Sequence, residues 1–149
     1  MSNSLDFRFK KEIKFKRFSD KAVTPTYSRV GDAALDLTAA TCEETDRYIE
    51  YKTNIGIKIP EGYFGLIAPR SSLSNYDLIL SNHLGIVDSN FVGDISFRFK
   101  RTKPEGKIYD IGDRVGQLII LPYQLINLTE VDELEETNRG TQGYGSSGA

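Results

Sequence analysis

Asn82-His83-Leu84-Gly85-Ile86-Val87-Asp88-Ser89-Asn90-Phe91-Val92-Gly93 is the stretch whose reading decides the fold. The aliphatic run Leu78–Leu80 leads into it, a second apolar run stops abruptly at Asp88, and Phe91 and Gly93 close the segment. The pattern predicts strand, tight turn, strand, with Gly85 and Gly93 supplying backbone angles that other residues resist. A hairpin of this kind offers N–H and C=O groups at its mouth, suited to reading a flat polar ring. Asp88 at the end of an apolar run, with Phe91 three residues on, sets a proton acceptor beside a ring-sized wall. Taken alone, the segment reads equally well as a solvated turn, where Asp and Asn are ordinary residues. Its surroundings decide between the two.

Working outward, short stretches of alternating character recur on both sides. Leu5, Phe7 and Phe9, then Ile13 and Phe15, then Ile55, Ile57 and Ile59, then Ile95, Phe97 and Phe99 each alternate with other residues. A period of two predicts strands with one buried face. Thr24-Pro25-Thr26, Pro60-Glu61-Gly62 and Pro104-Glu105-Gly106 punctuate them. Only Ser72 to Tyr76 could make a turn of helix. The expected class is all-β, a sandwich or barrel such as a jelly roll, with at most one short helix. Residues 1–149 read as one domain, and the acidic, polar run from Glu130 to Asn138 opens an extended C-terminal arm, 130–149.

Composition narrows the chemistry. Nineteen Lys and Arg against 21 Asp and Glu give a net charge of −2, which argues against a general nucleic-acid or membrane-surface binder. No apolar run approaches the roughly 20 residues of a membrane span. The basic cluster Lys10, Lys11, Lys14, Lys16 and Arg17 alternates with apolar residues, as strand faces do. An intracellular, cytoplasmic setting is the default, and a nuclear one stays open. Cys42 and His83 are the single residues of their kinds, so an intrachain disulfide, a thiolate cluster and a His-based metal centre are excluded. The work falls to carboxylates, arginines, hydroxyls, backbone amides and a borrowed metal ion.

Four further motifs stand around the central stretch. In Gly31-Asp32-Ala33-Ala34-Leu35-Asp36-Leu37, Asp36 lies between leucines, where an unpaired carboxylate would be costly. A structural anchor and a support for an active site are both open to it. Pro69-Arg70-Ser71-Ser72-Leu73-Ser74 sets an Arg and two hydroxyls at a turn, as an anion cradle or a plain cap. Gly112-Asp113-Arg114-Val115-Gly116-Gln117 feeds a buried strand, and its Gln117 amide needs a partner, packing being the favoured reading. The tail Arg139-Gly140-Thr141-Gln142-Gly143-Tyr144-Gly145-Ser146-Ser147-Gly148 could wrap a polyphosphate with its amides, although Gly/Ser-rich termini are commonly disordered.

In this order and spacing the five segments resemble the five motifs of the trimeric dUTPase family, from about Gly31 to Gly148. The resemblance implies a jelly-roll-like β-barrel of the β-clip type and a homotrimer with shared active sites. It also implies hydrolysis of dUTP to dUMP and pyrophosphate, which keeps uracil out of DNA and supplies the thymidylate precursor. Mg²⁺ is the implied cofactor, held through the triphosphate and water with no direct protein ligand; no nucleic acid or membrane partner is implied. By the same resemblance Asp88 activates the attacking water, with Asp36 and Gln117 in support. Asn82, Gly85, Ile86 and Val87 read uracil, and Phe91, where the family has Tyr, packs on deoxyribose. Arg70, Ser71, Ser72 and Gln117 meet phosphate; Arg139, Gly145, Ser146 and Ser147 close over it, and Tyr144, where the family has Phe, stacks on the base. Ala34 and Gly116 exchange the family's Gly and Ala, and Ser147 replaces Thr. Two other readings are a deoxycytidine-nucleotide deaminase of the same superfamily and a nucleotide-gated protein-binding module.

Overall fold

The computed structural model describes residues 11–144. Among them ten strands follow one another: β1 Lys14–Arg17, β2 Leu35–Thr38, β3 Thr41–Glu44, β4 Ile49–Lys52, β5 Ile55–Lys58, β6 Tyr63–Ala68, β7 Leu78–Leu80, β8 Gly85–Val87, β9 Ser96–Arg101 and β10 Arg114–Pro122. A single 3₁₀ turn, Ser71–Asn75, is the only helical element among the described residues. Two four-stranded antiparallel sheets, ordered β2-β10-β6-β8 and β3-β4-β9-β7, are joined by the ribbon β1-β5. The architecture is the expected all-β, jelly-roll-like one. The sheets share no hydrogen-bonded strand, so they pack face to face without closing into a continuous cylinder.

One core unites the sheets. Leu37, Val115, Leu118 and Ile67 from the first meet Ile49, Tyr51, Phe97 and Phe99 from the second. The alternation on β9 works as its sequence predicts, with Ile95, Phe97 and Phe99 buried and Arg98 and Lys100 exposed. Phe97 lies directly on Gly116, where a Cβ would stand 2.1 Å from the ring. Gly116 is therefore needed for this close contact between the sheets. Ala34 has no left-handed φ, so exchanging Gly for Ala there introduces no strain. Tyr51, Phe99 and Tyr109 add an edge-to-face cluster with ring centroids 5.5 to 5.9 Å apart. Such pairs contribute about 0.5–1.5 kcal/mol each beyond burial.

Three expectations need correction. First, β1 forms but buries no face: Phe15 remains 46% exposed, because the strand pairs only with β5. The predicted strand at Leu5–Phe9 lies outside the described residues. Second, β5 is buried on both faces, since Phe18 and the Val92 carbonyl close over Gly56. Third, the central stretch is an arch and not a hairpin. β7 pairs with β9 in one sheet, while β8 pairs with β6 in the other. Ser81 N–H donates to the Arg98 carbonyl at 2.8 Å and keeps the near side with β9. His83 then takes the left-handed φ of 60°. Gly85 and Gly93 have no such φ. Gly85 serves close approach, because a Cβ there would meet Ile67 Cγ1 at 2.3 Å. Gly93 leaves room for the Phe91 ring, 2.9 Å from where its Cβ would stand.

Candidate active site

The first sheet carries a cleft at each edge. At one edge the short strand β2 holds Asp36, whose N–H donates to the Thr26 carbonyl at 2.9 Å. Its carboxylate accepts from the Ser28 hydroxyl, from Arg70 Nε at 2.8 Å and from Arg114 Nη1 at 2.9 Å. Burial pushes this carboxyl upward, but the Ser28 hydroxyl and the two guanidiniums outweigh it and hold the carboxyl below its ordinary range. Arg70 also donates from Nη1 to Ser72 Oγ at 3.1 Å, which leaves Nη2 without a partner among the described residues. Gln117 lies opposite both Asp36 and Ala68 in the ladder, and its Nε2 donates to the Pro69 carbonyl at 3.1 Å. The partner of this amide is thus the backbone just ahead of Arg70. A cleft of about 440 Å³ runs past Asp36, Arg70, Ser71 and Gln117. Three guanidiniums, Arg29, Arg70 and Arg114, line it against two carboxylates, Asp32 and Asp36. Both carboxylates accept hydrogen bonds, from the Arg29 N–H to Asp32 and from Arg70 and Arg114 to Asp36, so the excess charge available to a ligand is positive.

At the opposite edge β8 ends in Asp88. A tight turn follows, closed by Phe91 N–H to the Asp88 carbonyl at 3.1 Å and tied down by Lys58 Nζ to the Ser89 carbonyl at 3.2 Å. Asp88 is exposed, and its carboxylate makes no hydrogen bond or ion pair among the described residues. It lines a small cleft of about 240 Å³ with Ile67, Ile86, Val87 and Phe91. Asn82 stands near Gly85, at the other end of the arch, on a separate cleft with Ser81 and Arg98. The structure thus brings Ile86, Val87, Asp88 and Phe91 together, and separately Asp36, Arg70, Ser71, Ser72 and Gln117. It does not bring the two groups together within one chain. β2 and β8 are three strand positions apart, about 14 Å at the usual spacing.

Arg139 closes a local turn, donating from Nε to the Gln142 carbonyl at 3.0 Å, and Tyr144 is fully exposed. Neither of the two clefts is lined by a residue from 123–144. Gly145, Ser146 and Ser147 lie outside the described residues. Sequence reasoning missed Arg114 and Ser28, which complete the shell of Asp36. The signal for Arg114 was its place at the turn entering β10; Ser28 carries none, because its role comes from a loop packing across the sheet.

Together these make an open jelly roll with a cationic cleft at one edge of the first sheet and an acid–aromatic cleft at the other. The dUTPase family model matches residues 20–148. The deoxyuridine 5'-triphosphate nucleotidohydrolase of Corynebacterium glutamicum is 38% identical over 141 residues, 91% of this chain and 94% of that protein. That of Leifsonia xyli is 39% identical over 130 residues, 83% and 84% of the two chains. Among solved structures, the Staphylococcus bacteriophage 80alpha dUTPase with dUpNHpp aligns at a TM-score of 0.80 and 26% identity, covering 94% of this chain and 100% of that one. The chain belongs to the dUTPase family.

Proposed function

We propose that this protein is a dUTP diphosphatase, hydrolysing dUTP to dUMP and pyrophosphate by attack of an Asp88-activated water on the α-phosphorus. The observation that carries this reading is the Asp88 carboxylate, unpaired among the described residues and beside Phe91, on the sheet edge opposite a cleft with three guanidiniums. Phosphoanhydride hydrolysis needs positioning, charge stabilisation and one base for water. Asp88 is the base. Phe91 fills the space a 2′-hydroxyl would take, and Asn82, Gly85, Ile86 and Val87 read uracil through the arch, chiefly by backbone groups. Arg70, Ser71 and Ser72 take phosphate oxygens. Asp36 aims Arg70, and Gln117 holds the Pro69–Arg70 peptide in place. Residues 1–149 act as one domain, whose arm from 130 closes with Arg139, Gly145, Ser146 and Ser147 over phosphate and Tyr144 over the base.

Because the two groups of residues line different clefts, we read the complete site as shared between copies of the chain, in a homotrimer. One copy presents Asp88 and the arch, and another presents Arg70 and Asp36. Mg²⁺ fits this donor set as a metal carried in on the substrate. Among the described residues no three His, Cys, Asp or Glu side chains cluster to hold one, and Mg²⁺ suits phosphate oxygens and water. When bound, it neutralises charge on the triphosphate. The phage 80alpha enzyme, a relative in fold, was solved with dUpNHpp, the imido analogue of this substrate. Among the described residues no helix is long and apolar enough to cross a membrane. A cytoplasmic role, limiting dUTP and supplying dUMP, completes the reading.

The test is pyrophosphate release with Mg²⁺ from dUTP, dTTP, dCTP and UTP in parallel. Release from dUTP alone is the expected result. Ammonia from dCTP would assign the chain to the deaminases, and tight dUTP binding without turnover would make it a nucleotide-gated binding module.

A further inference from the structure

The segment that carries Asp88 and Phe91 leaves the first sheet at β8 and enters the second at β9, with no strand between Val87 and Ser96. β8 and the turn closed by the Phe91 N–H fix its start. Its far end is fixed by the connection from β4 to β5. The Ile95 N–H donates to the Ile55 carbonyl at 3.0 Å, and the buried Thr53 gives the Ile95 carbonyl its N–H at 3.1 Å and its hydroxyl at 2.7 Å. Asp94 adds side-chain bonds at the same place. It lines the cleft of Asp88 and Phe91, yet both its oxygens face the connection. Oδ1 accepts from the Ile55 N–H at 3.2 Å, shared with Thr53 Oγ1, and Oδ2 accepts from Asn54 Nδ2 at 3.0 Å. Asn54 Oδ1 in turn accepts from the Ser19 hydroxyl at 2.7 Å. Asn54 holds the left-handed φ of 54°, which Asn and Asp adopt more readily than most side chains.

We propose that Asp94 is a positioning residue for the sugar wall: by tying the far end of this segment to Asn54 and Ile55, it sets how closely the Phe91 ring stands over the cleft, and so how strictly a 2′-hydroxyl is refused. Only Val92 and Gly93 separate the clamp from the ring, so a shift at Asp94 passes directly to Phe91. The inference rests on the reading of Phe91 as the wall against the sugar. Its chemistry is specific. Both oxygens of Asp94 accept, whereas an amide has one acceptor and one donor group. Asp94→Asn therefore leaves a donor facing a donor, and Asn54→Asp alone sets two carboxylates against each other. With both substitutions every bond returns. The amide now at 94 accepts from the Ile55 N–H and donates to the carboxylate now at 54, which still accepts from Ser19.

The experiment measures kcat/KM for dUTP and for UTP with Mg²⁺, and the melting temperature, in the full chain and in Asp94→Asn, Asn54→Asp, the double exchange, Ser19→Ala and Phe91→Ala. Each single change at 94 or 54 should narrow the preference for dUTP over UTP about tenfold, the low end of what one steric contact in a pocket is worth. The double exchange should return the preference to the parent value, a coupling that two independent sites would not show. Should a single variant fail to fold, the double exchange and Ser19→Ala decide, the latter with a loss of about threefold, the low range for one neutral hydrogen bond. If Asp94→Asn melts lower and keeps the parent preference, or if the double exchange folds without restoring it, Asp94 serves stability alone; the proposal then falls while the reading of Phe91 stands. If Phe91→Ala leaves the preference unchanged, Phe91 is no sugar wall and both fall together.

Discussion

Two carboxylates on one sheet differ because of what surrounds them. Asp88 has no partner among the described residues and is open to water, whereas Asp36 is held by two guanidiniums and a serine. Replacing each should therefore produce different losses. Asp88→Asn should keep dUTP affinity, measured by calorimetry, and slow pyrophosphate release by about 10²–10⁴-fold, the range for a positioned base; near-normal turnover would remove Asp88 from that role. Asp36→Asn leaves guanidinium hydrogens unpaired and should cost about 1–3 kcal/mol of stability, read from denaturant unfolding. The pH dependence has a definite sign. The folded-state carboxyl of Asp36 is depressed, so its contribution is complete above the unfolded value, about pH 4, and is lost as pH falls through the folded value. The parent chain should lose stability over that acid limb more steeply than Asp36→Asn; parallel curves would show that the ion pairs contribute nothing net.

At the scale of elements, the arch decides where Asp88 stands. Gly85 lets β8 lie on Ile67 with no side chain between them. Gly85→Ala should overpack this contact at about 1–3 kcal/mol and displace the strand that ends in Asp88. Adding Ile67→Ala should recover turnover in the Gly85→Ala chain, because it removes the atoms the new methyl would strike; no recovery would mean that Gly85 matters for its backbone. Some strands were legible, since β5, β9 and β10 follow alternation or apolar runs near Gly and Pro, whereas β2, β3 and β4 had no such reading. The candidate site residues stood out as motifs. Which sheet each strand joins was not legible. Leu78–Leu80 and Gly85–Val87 look like two sides of one hairpin because they are neighbours in sequence, yet each finds its partner far along the chain, in β9 and β6. Local pattern reports the period of a strand and is silent on long-range pairing. For the same reason the shell around Asp36, built from Ser28, Arg70 and Arg114, could be read only as an acid in need of partners.

For the whole molecule, the division of the site into two clefts makes a direct prediction about mixed assemblies. Asp88→Asn and Arg70→Ala should each be nearly inactive alone. Unfolded together and refolded, they should regain a measurable part of the parent activity, since some sites would pair an intact Asp88 with an intact Arg70 from different copies. Failure to regain any would place both groups in the service of one chain. The tail has a consequence of another kind. From Tyr123 onward the described chain forms no strand, and Leu125, Ile126, Leu128, Val131 and Leu134 are exposed. A subunit alone would present proteases with an extended apolar ribbon, the sort of segment that cellular quality control removes. Newly made copies that fail to find companions would be short-lived, so the amount of active enzyme would follow the success of assembly more closely than the rate of synthesis.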